Sequence, residues 1–440
     1  MPTPSPDAAL AVPAAAPRPA AAGAPSLAVA VVEDERGLDA LEPEWSALLE
    51  RSDASVFQSF EWLRTWWRHF GEGRPGARLH VVTVRGEGGL VAIAPLYVQR
   101  VRLIGLAPFR RLLFLGHRDS DYLDVLAARG LEEPAADAVA AALAGRRRLF
   151  DVAILEETPE GSRAGPLLAA ALARRGFRVS RAPDSPCPRT ALARTWEETL
   201  ARFGQSDRRE VRRRLRNLQK EHRVELELVP AGDGVVPAMR EFVEMHQERW
   251  ARDGWWGAFA DPAAAEFHVE VAERLAGRGW LFLAFLRVDG RRLVVNYGFS
   301  FRDAVAVYLP GAREVPPALA RHSPGRVLHA LGMQWAIAQG RTVYDFMRGA
   351  EAYKYEFDAV DVPNWRVVAY PARPRLAAAA HAVQRALATV RRRLRNEAHA
   401  LRVARGGAGW ASPAVRAHLA RAFRRGVRDV RRVLRRGRRA

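Results

Sequence analysis

Apolar and polar positions alternate in three short runs in the second half of the chain, which is typical of β-strands. The runs cover residues 280–288, 293–301 and 304–309. Asp289-Gly290, a dipeptide favoured in tight hairpin turns, separates the first two runs. This part of the chain is therefore predicted to form three consecutive antiparallel strands.

A pattern with helical spacing comes next, directly after Ser323-Pro324-Gly325. Apolar residues recur there at Val327, Leu328, Leu331, Trp335 and Ile337, and a short strand pattern follows at 342–346. Proline fixes φ where a helix can begin, and glycine lets backbone approach a ligand closely. Free N–H groups and the positive end of a helix dipole can bind phosphate. The turn is therefore either an anion site or the ordinary cap of a buried helix.

The first half of the chain shows a similar order of elements. A hairpin is predicted around Gly86-Glu87-Gly88-Gly89, and a strand, a helix and another strand follow it. These elements are predicted at residues 79–85, 90–98, 112–115, 135–144 and 149–155. The repeated order predicts two halves of related architecture. Because the first half lacks an equally clear Pro-Gly turn before a helix, a phosphate-bearing ligand is expected in the second.

Short motifs are spread along residues 27–371. They are FQSFEWL at 57–63, WWRHFG at 66–71, DYLD at 121–124, FVEMH at 242–246, RW at 249–250, SPG at 323–325 and DFMRGAEAYK at 345–354. Together with the order of strands and helices, these motifs resemble the CelD-like family of the GNAT superfamily. Its members are bacterial acetyltransferases linked to cellulose and exopolysaccharide biosynthesis.

The resemblance implies an α+β fold of two tandem GNAT-like domains. Each would have a mixed, mostly antiparallel sheet flanked by helices. The predicted boundaries are 1–25 for a disordered Ala/Pro-rich segment, 26–190 for the amino-terminal domain, 191–372 for the acyltransferase domain and 373–440 for a basic helical tail.

The chemistry that the resemblance implies is direct transfer of an acyl group from acyl-CoA, most simply acetyl-CoA, to an amine or a hydroxyl. The coenzyme pyrophosphate is expected at the backbone of Ser323, Gly325 and Arg326, with the Arg326 side chain free to add positive charge. Between the halves, residues 207–223 are predicted to form an arginine-rich helix. Its basic side chains are either solvated or directed at an anion.

Candidates for proton transfer lie in the DFMRGAEAYK motif. Asp345 is either a base or a structural carboxylate paired with Arg348. Tyr353 can protonate the departing thiolate, and Glu351 lies in the same displayed loop. His246 has the intrinsic pKa of a base, although a lone histidine on such a helix face is more often structural.

Substrate contacts are expected from Lys354, which can hold a substrate or coenzyme anion, and from Arg249 and Trp250, which share a helix face with the histidine. Cys187 is the only cysteine and lies in Pro-Cys-Pro, an extended context that predicts an inter-domain linker rather than a nucleophile. No intramolecular disulfide or cysteine metal cluster can form, and no metal is expected.

The net charge of +20 is concentrated at the carboxyl end. The segment 373–440 holds twenty arginines against two acids, Glu397 and Asp429, and so carries +18 of that charge. Two stripes of apolar residues predict two amphipathic helices broken at Gly406-Gly407. Such basic helices can bind an anionic membrane, bind nucleic acid or pack on a protein. The continuous stripes favour the membrane and make nucleic acid the less favoured partner.

Residues 1–25 contain scattered prolines and lack the uninterrupted apolar core of a secretory signal. No other stretch reaches membrane-spanning length without charge. A cytoplasmic location, peripheral to the inner membrane, is therefore expected.

Two alternatives to acyl-CoA transfer remain at this stage. A FemAB-like transferase shares the paired GNAT architecture and takes its acyl group from aminoacyl-tRNA, but the near-neutral core predicted here offers no broad basic surface for tRNA. The other alternative is a non-catalytic, membrane-associated scaffold with a degenerate GNAT core. The acceptor, expected to be a small molecule or a saccharide, and the oligomeric state do not follow from the sequence.

Overall fold

The computed structural model describes residues 27–101, 108–252 and 254–371. The predicted disordered segment 1–25 and basic tail 373–440 lie outside the described residues. The strands are β1 Ala28–Val32, β2 Ala77–Leu79, β3 Val81–Gly86, β4 Gly89–Ala94, β5 Leu96–Val101, β6 Phe109–Phe114, β7 Leu126–Ala127, β8 Val152–Pro159, β9 Arg178–Ala191, β10 Val224–Leu228, β11 Leu281–Val288, β12 Arg291–Phe301, β13 Ala304–Ala312, β14 Val343–Asp345 and β15 Val360–Tyr370.

The helices separate these strands in both halves of the described chain. They are α1 Glu35–Ala40, α2 Glu42–Glu50, α3 Phe60–Phe70, α4 Glu132–Gly145, α5 Ala164–Arg174, α6 Trp196–Arg202, α7 Gln205–Glu221, α8 Val235–Arg252, α9 Pro262–Gly277, α10 Pro317–Ala320, α11 Pro324–Ala338 and α12 Ala352–Tyr355. A short 3-10 turn at Val56–Gln58 precedes α3.

The meander predicted from the alternating pattern is confirmed as β11, β12 and β13, which pair antiparallel in that order. Asp289 and Gly290 both have positive φ, at 51° and 82°. Positive φ at both central residues is the requirement of the tight hairpin turn that their sequence indicates.

One large sheet joins the two halves. Its strand order is β10-β11-β12-β13-β14-β9-β15-β8-β6-β5-β2, and a smaller sheet has the order β1-β3-β4-β7. The last strand, β15, lies between β9 and β8, so the end of the described chain returns to the sheet of the first half. The predicted domain boundary at 190/191 falls inside β9, which pairs with β14 and β15 of the second half. This boundary therefore stays a prediction.

The prediction of a linker around Cys187 is wrong. Residues 178–191 form the long central strand β9, and Cys187 is fully buried within it. Prolines normally disfavour strands because they lack the N–H donor. Their backbone is nevertheless extended, and β9 pairs with β15 along most of its length. The Pro-Cys-Pro sequence therefore predicts the extended backbone correctly, but it does not predict the pairing with β15.

Strand alternation divides the neighbourhood of β14 between two faces. Tyr344 and Phe346 pack with α11 on one face, in a core that includes Val305 and Val307 of β13. Asp345 points to the other face, where it meets Tyr122 of the first half. The structure thus places neighbouring residues of one motif in two separate environments.

The sheet opens beside β13. Parallel pairing between β13 and β14 is confined to residues 304–306 and 343–345, whereas β13 continues to Ala312. No described strand pairs with residues 307–312 on that side. A bulge at Gly298 of β12 lies opposite this point, and a Cβ there would come within 1.9 Å of the Ala306 carbonyl oxygen. Only glycine fits that close approach.

The fold class predicted from the sequence is confirmed as a mixed α+β architecture with helices flanking the sheets of both halves. Large aromatic side chains fill the core, with Trp45, Trp62 and Trp67 fully buried in the amino-terminal part. Within the described ranges, no helix combines the length and the apolar character that crossing a membrane requires.

Candidate functional site

The Ser323 turn opens α11 as the sequence predicts. Ser323 has left-handed backbone geometry, with φ 51° and ψ 66°, and Pro324 is the first residue of the helix. The Ser323 side chain makes no capping hydrogen bond. A Cβ added at Gly325 would meet no atom within 4 Å, so the Gly325 side of the first turn faces open space, whereas Pro324 and Val327 are buried. A free helix start of this kind is suited to an anionic group.

The Arg326 side chain is not free, in contrast to the expectation. Its guanidinium forms a two-pronged ion pair with Glu356, at 2.6 and 2.5 Å. Arg214 of the arginine-rich helix α7 also contacts Glu356, at 3.2 Å, and the same arginine pairs with Glu210 at 2.7 Å. These contacts hold α7, α11 and α12 together, so Arg326 is fixed in place by Glu356.

Tyr353 lies beside the first turns of α11. Its ring stacks on His329 with centroids 5.4 Å apart and meets Phe346 edge-on. Burial, with a smaller contribution from Glu351, raises the pKa of Tyr353 to about 12, and Arg249 and Arg326 oppose this rise. The hydroxyl is therefore protonated at neutral pH and can donate a proton.

Lys354 does not present its charge to a ligand. It is only 3% exposed, and its ammonium group donates to the carbonyl oxygens of Met347, Arg348 and Gly349 at 2.9–3.3 Å. It also pairs with the exposed Glu351 at 2.9 Å. An ammonium group has three N–H donors. The predicted anion-binding role therefore conflicts with the structure, in which Lys354 closes the loop between β14 and α12.

His246 is 1% exposed, and both of its ring nitrogens are occupied. Nδ1 donates to the Pro310 carbonyl at 2.7 Å, and Nε2 accepts from the Ala258 N–H at 3.1 Å. Burial lowers the pKa of His246 to about 4. In this arrangement the lone pair that a base needs is already engaged. The structural interpretation of His246 is the one that its contacts support.

Arg249 and Trp250 stay together at the end of α8, as their shared helix face predicts. The Arg249 guanidinium carbon lies 5.1 Å from the centroid of the Trp250 ring. The indole N–H of Trp250 is buried without a hydrogen-bond partner among the described residues. The positive charge of Arg249 also opposes the rise in the pKa of Tyr353.

Asp345 is 4% exposed and is bound by three partners. The Tyr122 hydroxyl donates to it at 2.9 Å, the Met347 N–H donates at 2.8 Å, and Arg189 forms an ion pair with it at 2.8 Å. Burial raises its pKa from the usual range of a carboxyl group, and Arg189 opposes the rise. The expected pair of Asp345 with Arg348 is therefore wrong.

Arg348 instead links the two halves through carboxylates of the first. It contacts Asp121 at 2.5 Å and Glu157 at 2.6 Å, and its backbone N–H donates to Asp121 at 3.0 Å. Asn364 of β15 donates to Glu157 at 2.8 Å. The DY motif and the DFMRG motif, which are more than 200 residues apart in sequence, thus form one buried polar cluster.

A cavity of about 410 Å³ lies next to this cluster, between the two halves. Tyr122, Asp345 and Arg189 line one part of it. Counted over the whole lining, five carboxylate side chains face three guanidinium groups: Asp53, Asp124, Glu132, Asp303 and Asp345 against Arg163, Arg189 and Arg302. The charged part of the lining therefore holds more carboxylates than guanidinium groups, among apolar residues such as Phe57, Phe299 and Phe301.

The structure separates two residues that the sequence grouped together. Asp345 faces the cavity, whereas Tyr353 lies with His329 on the α11 face of the sheet. Tyr122 had appeared only as part of a motif, and Arg189 and Glu157 had not been predicted as site residues. Arg189 lies two residues after Cys187 in β9, where the sequence predicts a linker. A prediction of this segment as a strand would have been the signal for Arg189 as a site residue.

Residues 205–355 match the family model described as "Acetyltransferase (GNAT) domain". The match begins at α7 and ends in α12, so it includes the Ser323 turn, β13 and β14. This segment is therefore similar to a GNAT acetyltransferase domain. No curated protein matches this sequence.

Several solved structures are similar to the chain. FemX superposes with a TM-score of 0.55 and 11% identity, over 74% of this chain and 95% of its own. A conserved protein of unknown function from Bacteroides thetaiotaomicron gives 0.49 and 12%, over 78% and 100%. A tandem GNAT protein from the clavulanic acid biosynthesis pathway gives 0.39 and 13%, over 78% and 98%. The likeness to FemX indicates a shared fold and, at this identity, nothing beyond it.

Proposed function

We propose that this protein transfers an acyl group from acyl-CoA, with acetyl-CoA the simplest donor, to an amine. The observation that carries the proposal is the open start of α11 inside a GNAT-type domain, next to the edge of β13 that lacks a strand partner. The helix start offers the Gly325 N–H and the positive end of the helix dipole to the coenzyme pyrophosphate, whereas the N–H groups of Ser323 and Arg326 donate to backbone carbonyls. The edge of β13 beyond Ala306, which pairs with no described strand on that side, offers backbone groups to the amide-bearing arm of the coenzyme.

The acceptor is proposed to bind in the cavity between the two halves. The excess of carboxylates in its lining supports an acceptor with a positively charged amino group, since unlike charges favour binding in a partly buried site. The resemblance to the CelD-like family supports an amino group carried by a saccharide and used in polysaccharide or cell-envelope synthesis. The same carboxylates would repel an acceptor that carries several negative charges.

The opening in the sheet supports passage of the acyl group between the two faces. The gap between β13 and β14 begins at Ala306 and Asp345, and both residues also line the cavity. A thioester bound from the α11 side would therefore approach an amine in the cavity through this gap. The amine nitrogen forms a bond to the acyl carbon, and the bond from that carbon to sulfur breaks.

Three proton transfers accompany this reaction. The Asp345 carboxylate, which Tyr122 and Arg189 orient, is proposed to take one proton from the bound ammonium group and so free the lone pair of the nitrogen. The second proton of the nitrogen leaves to solvent after the attack. Tyr353 supplies a proton to the thiolate sulfur, because its high pKa keeps the hydroxyl protonated. Arg249 and Trp250 are proposed to contact the bound donor, which the effect of the Arg249 charge on Tyr353 supports.

Introducing a carboxylate at the helix start tests the donor site. In Gly325→Glu, the new negative charge meets the pyrophosphate, so we expect acetyl-CoA affinity to fall at least about tenfold in calorimetry while the fold survives. Gly325→Ala is the matched control, since a Cβ fits there without contact. Wild-type affinity in a folded Gly325→Glu protein would show that the pyrophosphate binds elsewhere.

A second candidate is transfer from aminoacyl-tRNA, which the fold shared with FemX favours. Thermal unfolding with acetyl-CoA, longer acyl-CoAs and aminoacyl-tRNA distinguishes the donors, because a ligand that binds the native state raises its melting temperature. Stabilisation by aminoacyl-tRNA alone would support this candidate. A folded protein stabilised by no donor would instead support a non-catalytic scaffold.

The basic tail supplies a prediction of its own. A protein ending at Pro371 should be fully active on a soluble acceptor but should fail to sediment with anionic vesicles that retain the whole chain at low salt. Each basic side chain near an anionic surface contributes about 1 kcal/mol, and the two apolar stripes add a part that salt does not screen. Equal sedimentation of both proteins would contradict the anchor, and tight, salt-sensitive RNA binding by the tail would favour nucleic acid.

A further inference from the structure

Three potential metal ligands meet where α7 ends and the loop before α11 passes. Glu221 is the last residue of α7, His222 follows it, and His322 lies directly before Ser323. One ligand atom from each of the three lies within 4.8 Å of the others. His322 is 4% exposed, whereas the carboxylate of Glu221 reaches solvent. None of these three residues lines the cavity between the halves, and none is a cysteine.

The spacing of these atoms fits a tetrahedral ion. Ligand atoms bound at about 2.1 Å from a tetrahedral zinc ion lie about 3.4 Å from each other. Nε2 of His322 and an oxygen of Glu221 are 3.4 Å apart. This pair therefore already has the separation of two ligands on one ion, and His222 requires a shift of little more than 1 Å to join them.

The two imidazoles are held in the tautomer that a metal requires. Nδ1 of His222 lies 2.7 Å from a carboxylate oxygen of Asp289, to which it donates, so Nε2 carries the free lone pair. Nε2 of His322 accepts from the guanidinium of Arg321 at 3.1 Å, so it too carries a lone pair. A carboxylate behind a histidine is the usual arrangement around a protein-bound zinc ion.

The guanidinium of Arg321 is the cation that these acceptor atoms bind in the structure. Its guanidinium bonds both Nε2 of His322 and the Glu221 carboxylate. The Arg321 side chain is 61% exposed, so it can move into solvent without opening the core. A divalent ion would therefore replace an exposed guanidinium at a place where acceptor atoms already converge.

We propose that Glu221, His222 and His322 bind a divalent transition-metal ion, with zinc the best fit to two imidazoles and one carboxylate. Asp289 is a positioning residue that orients His222. The ion would tie the end of α7 and the β11–β12 turn to the loop that carries Ser323. This inference goes beyond acyl transfer and does not depend on it.

The test uses the full-length protein without a histidine tag, after dialysis against a chelator. Calorimetric titration with zinc chloride should give one ion per chain, and Co²⁺ should give the visible absorption of a tetrahedral site. His222→Gln and His322→Gln should each weaken zinc at least about tenfold, and Asp289→Asn should weaken it about 10- to 100-fold. Arg321→Ala should bind zinc at least as tightly as the wild type, because the competing cation is gone.

Glu225→Gln provides a control, since this nearby carboxylate pairs with Arg223 outside the cluster. It should bind zinc as the wild type does. His222 is partly exposed, so its substitution tests the site even if His322→Gln does not fold. Unchanged affinity in folded His222→Gln, or no stoichiometric binding by either the wild type or Arg321→Ala, would overturn the proposal and leave an ion pair of Arg321 with Glu221.

Discussion

Tyr353→Phe should lower kcat about a hundredfold while leaving the affinity for acyl-CoA nearly unchanged. Loss of a positioned proton donor typically costs 10²- to 10⁴-fold. The ring would remain stacked on His329 and in contact with Phe346, so the donor side of the sheet keeps its packing. Steady-state rates and calorimetric binding of the coenzyme, measured on the same protein, separate the two effects.

Tyr355→Phe is the matched control for this substitution. Tyr355 lies two residues further along the same short helix, is partly exposed and bonds Asp361 at 2.8 Å. Its kcat should stay close to that of the wild type. A normal rate in Tyr353→Phe would exclude Tyr353 as the acid and would direct attention to a water molecule or to the neighbouring Glu351.

Arg348→Met should lower the free energy of unfolding by about 3 kcal/mol or more, because it leaves carboxylates buried without their partner. The side chains of Asp121 and Glu157 are 4% and 10% exposed, and Arg348 neutralises both. Methionine keeps much of the side-chain volume, so the loss would come mainly from the missing charge. Urea denaturation at neutral pH measures it.

The pH dependence of this loss follows from the orphaned carboxylates. Burial already raises the pKa of Glu157, and Arg348 opposes that rise, so its removal should raise the pKa further. A carboxyl group whose folded pKa lies above its unfolded value stabilises the fold only while protonated. The deficit of Arg348→Met should therefore be smaller at pH 5 than at pH 8.

Arg240→Met is the control for charge loss alone. Arg240 pairs with Glu266 at 3.0 Å, but both side chains are more than half exposed, and such surface pairs contribute little to stability. The urea denaturation midpoint of Arg240→Met should therefore stay close to that of the wild type. An equally small effect in Arg348→Met would mean that the buried cluster does not hold the halves together.

Local sequence determined those features that depend on neighbours in the chain. The alternation in 280–309 predicted β11, β12 and β13, and Asp289-Gly290 predicted a turn with positive φ at both residues. Ser323-Pro324-Gly325 predicted the start of α11 for the same reason, since helix initiation depends on a few consecutive residues. The sequence leaves His246 open between a base and a structural residue, and it gives no indication that backbone carbonyl oxygens would enclose the Lys354 ammonium group.

Tertiary structure alone decided which side chains meet. Asp345 and Tyr353 share a motif, but strand alternation directs Asp345 to the cavity face of the sheet, whereas the helix α12 carries Tyr353 to the α11 face. Asp345 pairs with Arg189 rather than with Arg348. The partners of Arg348, Asp121 and Glu157, lie 227 and 191 residues away in the sequence. Side-chain periodicity reports which face is buried but not what covers it, because the covering residues come from strands and loops distant in sequence. The elements therefore followed from the sequence, whereas the polar cluster and the cavity between the halves required the folded chain.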